Sequence, residues 1–210
     1  LMPDVNLFYS DNPETLSQAD IIIIPGSKNT LSDLKTLREK HLDKVILAHH
    51  RSGKPVYGIC GGYQMMGEEV RDPDGVEGNI PVLPGLNILP VITTLADGKQ
   101  TRQCRFSFIE SDISGEGYEI HAGHTPSDRP LCRMETGETD GYYLNDKTWG
   151  TYIHGIFDNA SVIEQVLRQI DPAVTATVDY KTRKEEGYNR LADVVRENVD
   201  MEYIYRCMED

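Results

Sequence analysis

Val56-Tyr57-Gly58-Ile59-Cys60-Gly61-Gly62-Tyr63-Gln64-Met65-Met66 is the stretch on which the fold turns. A short apolar run ends in a cysteine and opens into glycines, the pattern of a strand, a tight turn with Cys60 at its apex, and a helix. Gly58-x-Cys60-x-Gly62 is the thiol form of the Gly-x-Ser-x-Gly nucleophile elbow, in which a sharp strand-to-helix turn lifts the nucleophile above a parallel sheet. Glycines two residues before and after Cys60 leave room where strand and helix cross, and they tolerate unusual backbone angles. The following helix offers free backbone N–H groups and a partial positive charge, and both favour a thiolate. The same window also fits a small buried cysteine after an ordinary βα turn, since free cysteine is among the most buried residue types. The flanking sequence separates the two readings.

Upstream, residues 4–9 read as a first strand and 13–18 as a short helix or turn. Residues 20–24 end in four consecutive isoleucines, the mark of a strand buried on both faces, as in parallel sheets. Pro25-Gly26-Ser27-Lys28-Asn29-Thr30 follows as a loop, with Asn29 or Thr30 able to cap a helix carrying Leu31, Leu34 and Leu37. The loop lacks the Gly-x-x-x-x-Gly-Lys-[Ser/Thr] order of a phosphate loop. A glycine-bearing loop at the carboxyl end of a strand can instead offer a backbone N–H to a ligand, or be a plain βα connection. Residues 42–51 read as a second helix, with His49 and His50 as surface residues near its end rather than metal ligands. Two strand-helix units before the elbow imply an α/β fold with right-handed crossovers, which puts both glycine loops on one sheet edge.

Downstream, residues 71–78 are turn-rich and charged, as expected of a mobile loop beside the site. From Gly85 the texture changes to strands, at 87–95, 103–109, 117–121, 141–144 and 149–153, which read as an antiparallel extension of the sheet. Within them Glu119 and His121 fall on one face of a strand, because side chains repeat every two residues. They fit a pair lining a polar pocket or a hydrogen-bonded structural pair. His121 and His124 lack a third ligand at sensible spacing, so no metal site is expected. His154 ends an apolar run and is followed by glycine, a place suited to a general base in an α/β enzyme. Cys–His pairs meet in space rather than in sequence, so Cys60 and His154 are the candidate catalytic pair. Residues 161–170 form a helix, 171–182 a linker and 184–208 a long amphipathic helix.

Composition bounds the rest. The 210 residues, 39% apolar, suit one large or two small domains with a packed core. A net charge of −13 argues against nucleic-acid binding, which needs a basic footprint. The longest aliphatic block, Ile21-Ile22-Ile23-Ile24, stops at Pro25, so no membrane span is expected, and no signal peptide is visible. Four widely spaced cysteines without a Cys-x-x-Cys pair suggest a cytoplasmic, reducing setting and no zinc site. The chain opens at Leu1-Met2 with an extended piece already under way, which suggests a fragment of something longer.

The stretches Pro25-Gly26-Ser27-Lys28-Asn29-Thr30, Gly58-Ile59-Cys60-Gly61-Gly62-Tyr63-Gln64, Gly117-Tyr118-Glu119-Ile120-His121 and Gly150-Thr151-Tyr152-Ile153-His154-Gly155-Ile156-Phe157 together resemble the class I glutamine amidotransferase domain of the cobyric acid synthase family. Asn189-Arg190-Leu191-Ala192-Asp193 and Val199-Asp200-Met201 are similar to that family's tail. The resemblance runs in order over nearly the whole chain. It implies an α/β, flavodoxin-like fold: a mostly parallel central sheet flanked by helices, with an antiparallel extension. One glutaminase domain would cover residues 1–210, with a helical extension from about residue 183.

The resemblance further implies that Cys60 attacks glutamine and His154 serves as acid and base. Gly61 and the Gly26-Ser27 loop would hold the oxyanion, Gln64 would contact L-glutamine, and Glu119 and His121 would line the substrate site. Many relatives carry a glutamate two residues after the histidine, where this chain has Ile156. A Cys–His dyad, or orientation of His154 by Asp158 or Glu119, would replace it. No cofactor is expected in this domain. ATP and magnesium would belong to an N-terminal synthetase domain of the same polypeptide, outside this chain, which would also bind a corrinoid acceptor. Another acceptor, as in cobyrinate a,c-diamide synthases or cell-wall lipid amidating relatives, and an inactive binding module are the alternatives.

Overall fold

The computed structural model describes residues 5–98, 100–175 and 180–208. The chain divides into two compact units, residues 1–176 and 177–210. In the first, α1 (Pro13–Ser17), β1 (Ile22–Ile24), α2 (Thr30–Glu39), α3 (Leu42–Arg51), β2 (Val56–Ile59) and α4 (Gly61–Met66) follow in order. Short strands β3 (Glu69–Arg71), β4 (Val82–Pro84) and β5 (Ile92–Thr94) come next, then the long hairpin β6 (Gln100–Phe108) and β7 (Ser114–His121). The unit closes with β8 (Cys132–Met134), β9 (Thr139–Asp140), β10 (Tyr142–Asn145), β11 (Thr148–Thr151), β12 (Ile153–His154), a 3-10 turn at Ile156–Asp158 and α5 (Ala160–Leu167).

The fold is α/β, with three sheets. The first, ordered β1-β2-β11-β10, is parallel except for β10. Its central strand β2 is buried along its length, the reason Val56, Tyr57 and Ile59 can all be apolar or aromatic. Tyr57 packs on Trp149 of β11 with ring centroids 4.5 Å apart, and Phe108 meets the same Trp149 edge-on. The second sheet, β12-β7-β6-β8-β9, is antiparallel throughout. Of the strands expected in an antiparallel extension, those at 103–109 and 117–121 form this separate sheet, tied to the first by the chain passing from β11 to β12. Those at 141–144 and 149–153 belong instead to the first sheet, with β11 parallel to β2, and 87–95 supplies only β5 elsewhere. A third sheet, β4-β3-β5, carries strands that the charged, turn-rich sequence around residues 69–84 disguised.

Several local expectations are corrected. Residues 5–9 form no strand, and Leu7 and Tyr9 are exposed; Asp4 lies outside the described residues. β1 is an edge strand, so Ile22 and Ile24 are buried while Ile23 faces out at 37% exposure. His49 is buried, not on the surface: it lies one helical turn from Ile46 on the same inward face, and its Nε2 is 3.1 Å from the Pro55 carbonyl. Burial holds its pKa below the ordinary value.

The second unit contains α6 (Tyr180–Asn198) and α7 (Met201–Met208), two helices rather than one. Asp200 causes the break, because its carboxylate accepts the Tyr203 N–H at 2.9 Å and so caps a new helix. The first part of the expected linker, through Thr175, is non-helical beyond Ile170, and residues 176–179 lie outside the described residues. No helix among the described residues is long and apolar enough to cross a membrane.

Candidate functional site

Cys60 sits where β2 ends and α4 begins, with φ 52° and ψ −111°, a backbone region that side-chain-bearing residues rarely enter. The glycines around it are enforced by close approach. A Cβ on Gly58 would lie 2.8 Å from the Tyr63 backbone, and one on Gly62 would lie 2.0 Å from the Ile24 carbonyl oxygen at the end of β1. The elbow is therefore clamped from both sides, and Cys60 projects at the carboxyl edge of the parallel strands. Its N–H donates to the Thr151 carbonyl at 2.7 Å, the last rung of the β2–β11 ladder. Its Sγ lies 3.5 Å from the Ile120 carbonyl oxygen of β7.

Gly26 brings the two candidate catalytic side chains together. A Cβ built on it would lie 3.1 Å from His154 Cε1 and 3.6 Å from Cys60 Cβ, so this exposed glycine touches both. A side chain there would crowd both. Gly61 is equally close to the neighbouring loop, where a Cβ would lie 2.8 Å from the Ser27 backbone nitrogen. The Ser27 hydroxyl donates to Asp33 at 2.5 Å and accepts the Asn29 N–H at 3.0 Å, which stiffens the loop. Asn29 is the cap of α2, its side chain accepting the Ser32 N–H at 2.9 Å. Gly26, Ser27, Cys60, Gly61 and His154 thus form one cluster.

Gln64 lies one turn along α4 but is only 2% exposed. Its amide oxygen accepts the Thr30 hydroxyl at 2.8 Å, and its nitrogen donates to the Tyr152 hydroxyl at 3.2 Å. In this structure it is a crossbeam under the site. The His121 ring stacks on Tyr152 with centroids 3.9 Å apart, and its Nδ1 is 3.0 Å from the Gly123 carbonyl. Glu119 faces Arg102 in a hydrogen-bonded ion pair, while His121 Nε2 is 3.8 Å away, an electrostatic contact beyond hydrogen-bond reach. Burial alone would raise the Glu119 carboxyl, but His121 and Arg102 outweigh it and hold the group below its ordinary value. β12 pairs with β7 so that His154 lies opposite Tyr118, and the two rings stack at 5.3 Å. The Asp158 carboxylate oxygen stands 3.4 Å from the position of a Cβ on Gly155, close beside the His154 turn.

Sequence reasoning missed three participants. The segment at 71–78 is tied to the site by hydrogen bonds: buried Asp72 accepts N–H groups of Val76 and Glu77, and the Glu77 carboxylate accepts the Thr30 N–H at the start of α2. Tyr152 links Gln64, His121 and Thr125. Asp140, 7% exposed, accepts the Thr151 hydroxyl and the Tyr152 N–H, the latter at 3.2 Å. Asp140-Gly141 reads as an ordinary polar turn, and only the tertiary partners reveal it. Among the described residues no group of three or more His, Cys, Asp or Glu is placed to hold a metal ion.

Burial pushes the Asp140 carboxyl up from 3.8 to about 6, opposed by hydrogen bonds from Thr151 and Tyr152, with Glu119 raising it further and His121 lowering it. A raised acid stabilises the folded state fully below about pH 4 and loses that contribution as pH rises through about 6. In chemical denaturation, the stability difference between wild type and Asp140→Asn is therefore expected to shift in disfavour of wild type between pH 4 and 6. A difference flat across that window would show that Asp140 titrates normally.

A profile of the CobB/CobQ-like glutamine amidotransferase domain matches residues 1–162. A cobyric acid synthase of Parabacteroides distasonis is 47% identical over 216 residues, covering 99% of this chain and 44% of its own length. One from Bacteroides fragilis is 49% identical, covering 99% of this chain and 43% of its own length. The chain thus spans less than half the length of these relatives. A solved glutamine amidotransferase superposes with a TM-score of 0.53 at 20% identity, over 69% of this chain and 75% of its own, and shares the fold. With more than three quarters of its residues inside the matched domain, the chain belongs to the CobB/CobQ-like glutamine amidotransferase domain family.

Proposed function

We propose that this domain hydrolyses L-glutamine through a thioester on Cys60 and supplies the ammonia to a synthetase domain of the same polypeptide. The observation that carries the reading is Gly26 lying against both Cys60 and His154 beneath a strained elbow. Cys60 passes its thiol proton to His154, its sulfur adds to the side-chain amide carbon, and the carbonyl oxygen becomes an oxyanion facing the N–H groups of Gly61 and the Gly26-Ser27 loop. The C–N bond breaks as His154 gives its proton to the departing ammonia. His154 then takes a proton from water, which adds to the thioester; glutamate leaves and the thiol is restored. Glu119 and His121 would border the glutamine site from β7. Gln64 would act by supporting the elbow and Tyr152 unless its amide turns to the substrate on binding.

The relatives' name, cobyric acid synthase, supports a corrinoid as the acceptor. Ammonia would amidate side-chain carboxylates of a corrinoid held by the synthetase domain, where ATP and magnesium would act, in the cytoplasm. The glutaminase domain itself would need no cofactor.

Treatment with a glutamine-mimicking diazoketone, followed by intact-mass analysis, tests the reading. The sulfur displaces dinitrogen once the diazo carbon is protonated, so one covalent adduct on Cys60 is expected. An unmodified Cys60, even with the synthetase domain present, would overturn it.

A further inference from the structure

Between Cys60 and His154 the chain changes sheets. Thr151 is the last residue of β11, paired with Ile59, and its carbonyl accepts the Cys60 N–H. Two residues later Ile153 and His154 pair with Glu119 and Tyr118 in the other sheet. A strand that leaves one ladder for another strips its backbone N–H groups of their ladder partners, and buried N–H groups need replacements. Here Asp140 supplies them. Its carboxylate accepts the Tyr152 N–H at 3.2 Å and the Thr151 hydroxyl, while that hydroxyl oxygen accepts the Ile153 N–H at 3.0 Å. One buried side chain thereby fixes Thr151, the anchor of Cys60, and the two residues that separate it from His154. Around it stand the Cys132 thiol, 4.0 Å from the carboxylate, and the Glu119 and His121 charges on β7.

We propose that Asp140 is a positioning residue for the Cys60–His154 pair: by holding the sheet change at Tyr152 it sets where His154 stands relative to the sulfur. This rests on the glutaminase reading. A carboxylate is suited to the task because it accepts two donors at once with no donor of its own to misplace. Asparagine in its place keeps one acceptor but turns an NH2 group toward a donor. The strand end then shifts, while the Gly26-Ser27 loop and Gly61 stay where α2, α4 and β1 hold them. Partners that orient metal ligands are typically worth about 10–100-fold in affinity or activity, and a loss of that order is expected here.

The test measures saturable inactivation of the chain by the diazoketone, separating the maximal rate of Cys60 alkylation from the half-saturating concentration. Asp140→Asn and Thr151→Val are expected to lower the maximal rate roughly 10–100-fold with half-saturation changed less than about threefold. Thr151→Ser, which keeps the hydroxyl, is expected to stay within about threefold of wild type in rate. The double variant Asp140→Asn/Thr151→Val should be no slower than the slower single variant, because both break the same link. A folded Asp140→Asn that alkylates at the wild-type rate overturns the proposal. So does a Thr151→Ser as slow as Thr151→Val, or a loss that appears only as a lowered melting temperature. A wild-type chain that takes no adduct, alone or with the synthetase domain, overturns the glutaminase reading and the positioning role with it.

Discussion

Cys60→Gly is expected to be more stable than Cys60→Ala by about 1–3 kcal/mol, the reverse of the usual order for these residues. Outside special conformations alanine outranks glycine by roughly 0.5–1 kcal/mol, because glycine loses more backbone freedom on folding. At φ 52° and ψ −111°, however, any Cβ is strained, and only glycine enters the region freely. Both variants lack the sulfur, so both should lose glutamine hydrolysis by about 10⁴-fold or more. Chemical denaturation gives the order and ammonia release gives the activity. The strain is held by the surroundings: the Cys60 N–H is fixed to Thr151, Gly62 is wedged under Ile24, and Gly58 is wedged under Tyr63. If alanine proves the more stable of the two, the elbow carries no strain and Cys60 is not held as described.

Gly62→Ala is expected to destabilise the fold by about 3 kcal/mol or more, with loss of soluble protein as the extreme outcome. A Cβ there would meet the Ile24 carbonyl oxygen at 2.0 Å, its carbon at 2.5 Å and the Pro25 carbonyl oxygen at 2.8 Å. All three are backbone atoms, so no rotamer change relieves the overlap; α4 must move off the end of β1, and Cys60 moves with it. Gly53 is the internal comparison, because a Cβ there meets nothing within 4 Å, but its φ of +77° leaves a modest conformational cost. The loss in melting temperature for Gly62→Ala should therefore exceed that for Gly53→Ala severalfold. Equal losses would mean that the helix has room to slide.

The elbow was legible because its requirements are local. Glycines at two fixed offsets from a cysteine, after an apolar run, are demanded by the crossing of one strand with the helix it enters, and that crossing lies within eleven residues of sequence. The parallel pairing of β1 with β2 was equally legible, since alternating strand and helix patterns leave few ways to build a sheet. That of β11 was not, because its run at 149–153 reads as part of an antiparallel extension yet pairs parallel to β2. His154 could be named as a candidate because it ends a strand-like run before a glycine. Its distance from Cys60 was not in the sequence.

What the sequence concealed depends on which strand faces which. Ile23 reads as core but sits on an edge strand, and His49 reads as surface but lies on the inward face of α3. Asp140, Tyr152 and Glu77 have no local pattern, because these partners are 12 to 88 residues away and exist only after the sheets pair. By itself, then, the sequence determined an α/β chain with a cysteine on a strained turn, since glycine spacing and apolar periodicity are short-range properties of the backbone. Only the tertiary structure decided that the long β6–β7 hairpin belongs to a separate antiparallel sheet, that the chain changes sheets at Tyr152, and that Gly26 lies beside both Cys60 and His154. Those are consequences of long-range pairing and of burying polar backbone with its hydrogen bonds satisfied, which no window of neighbouring residues encodes.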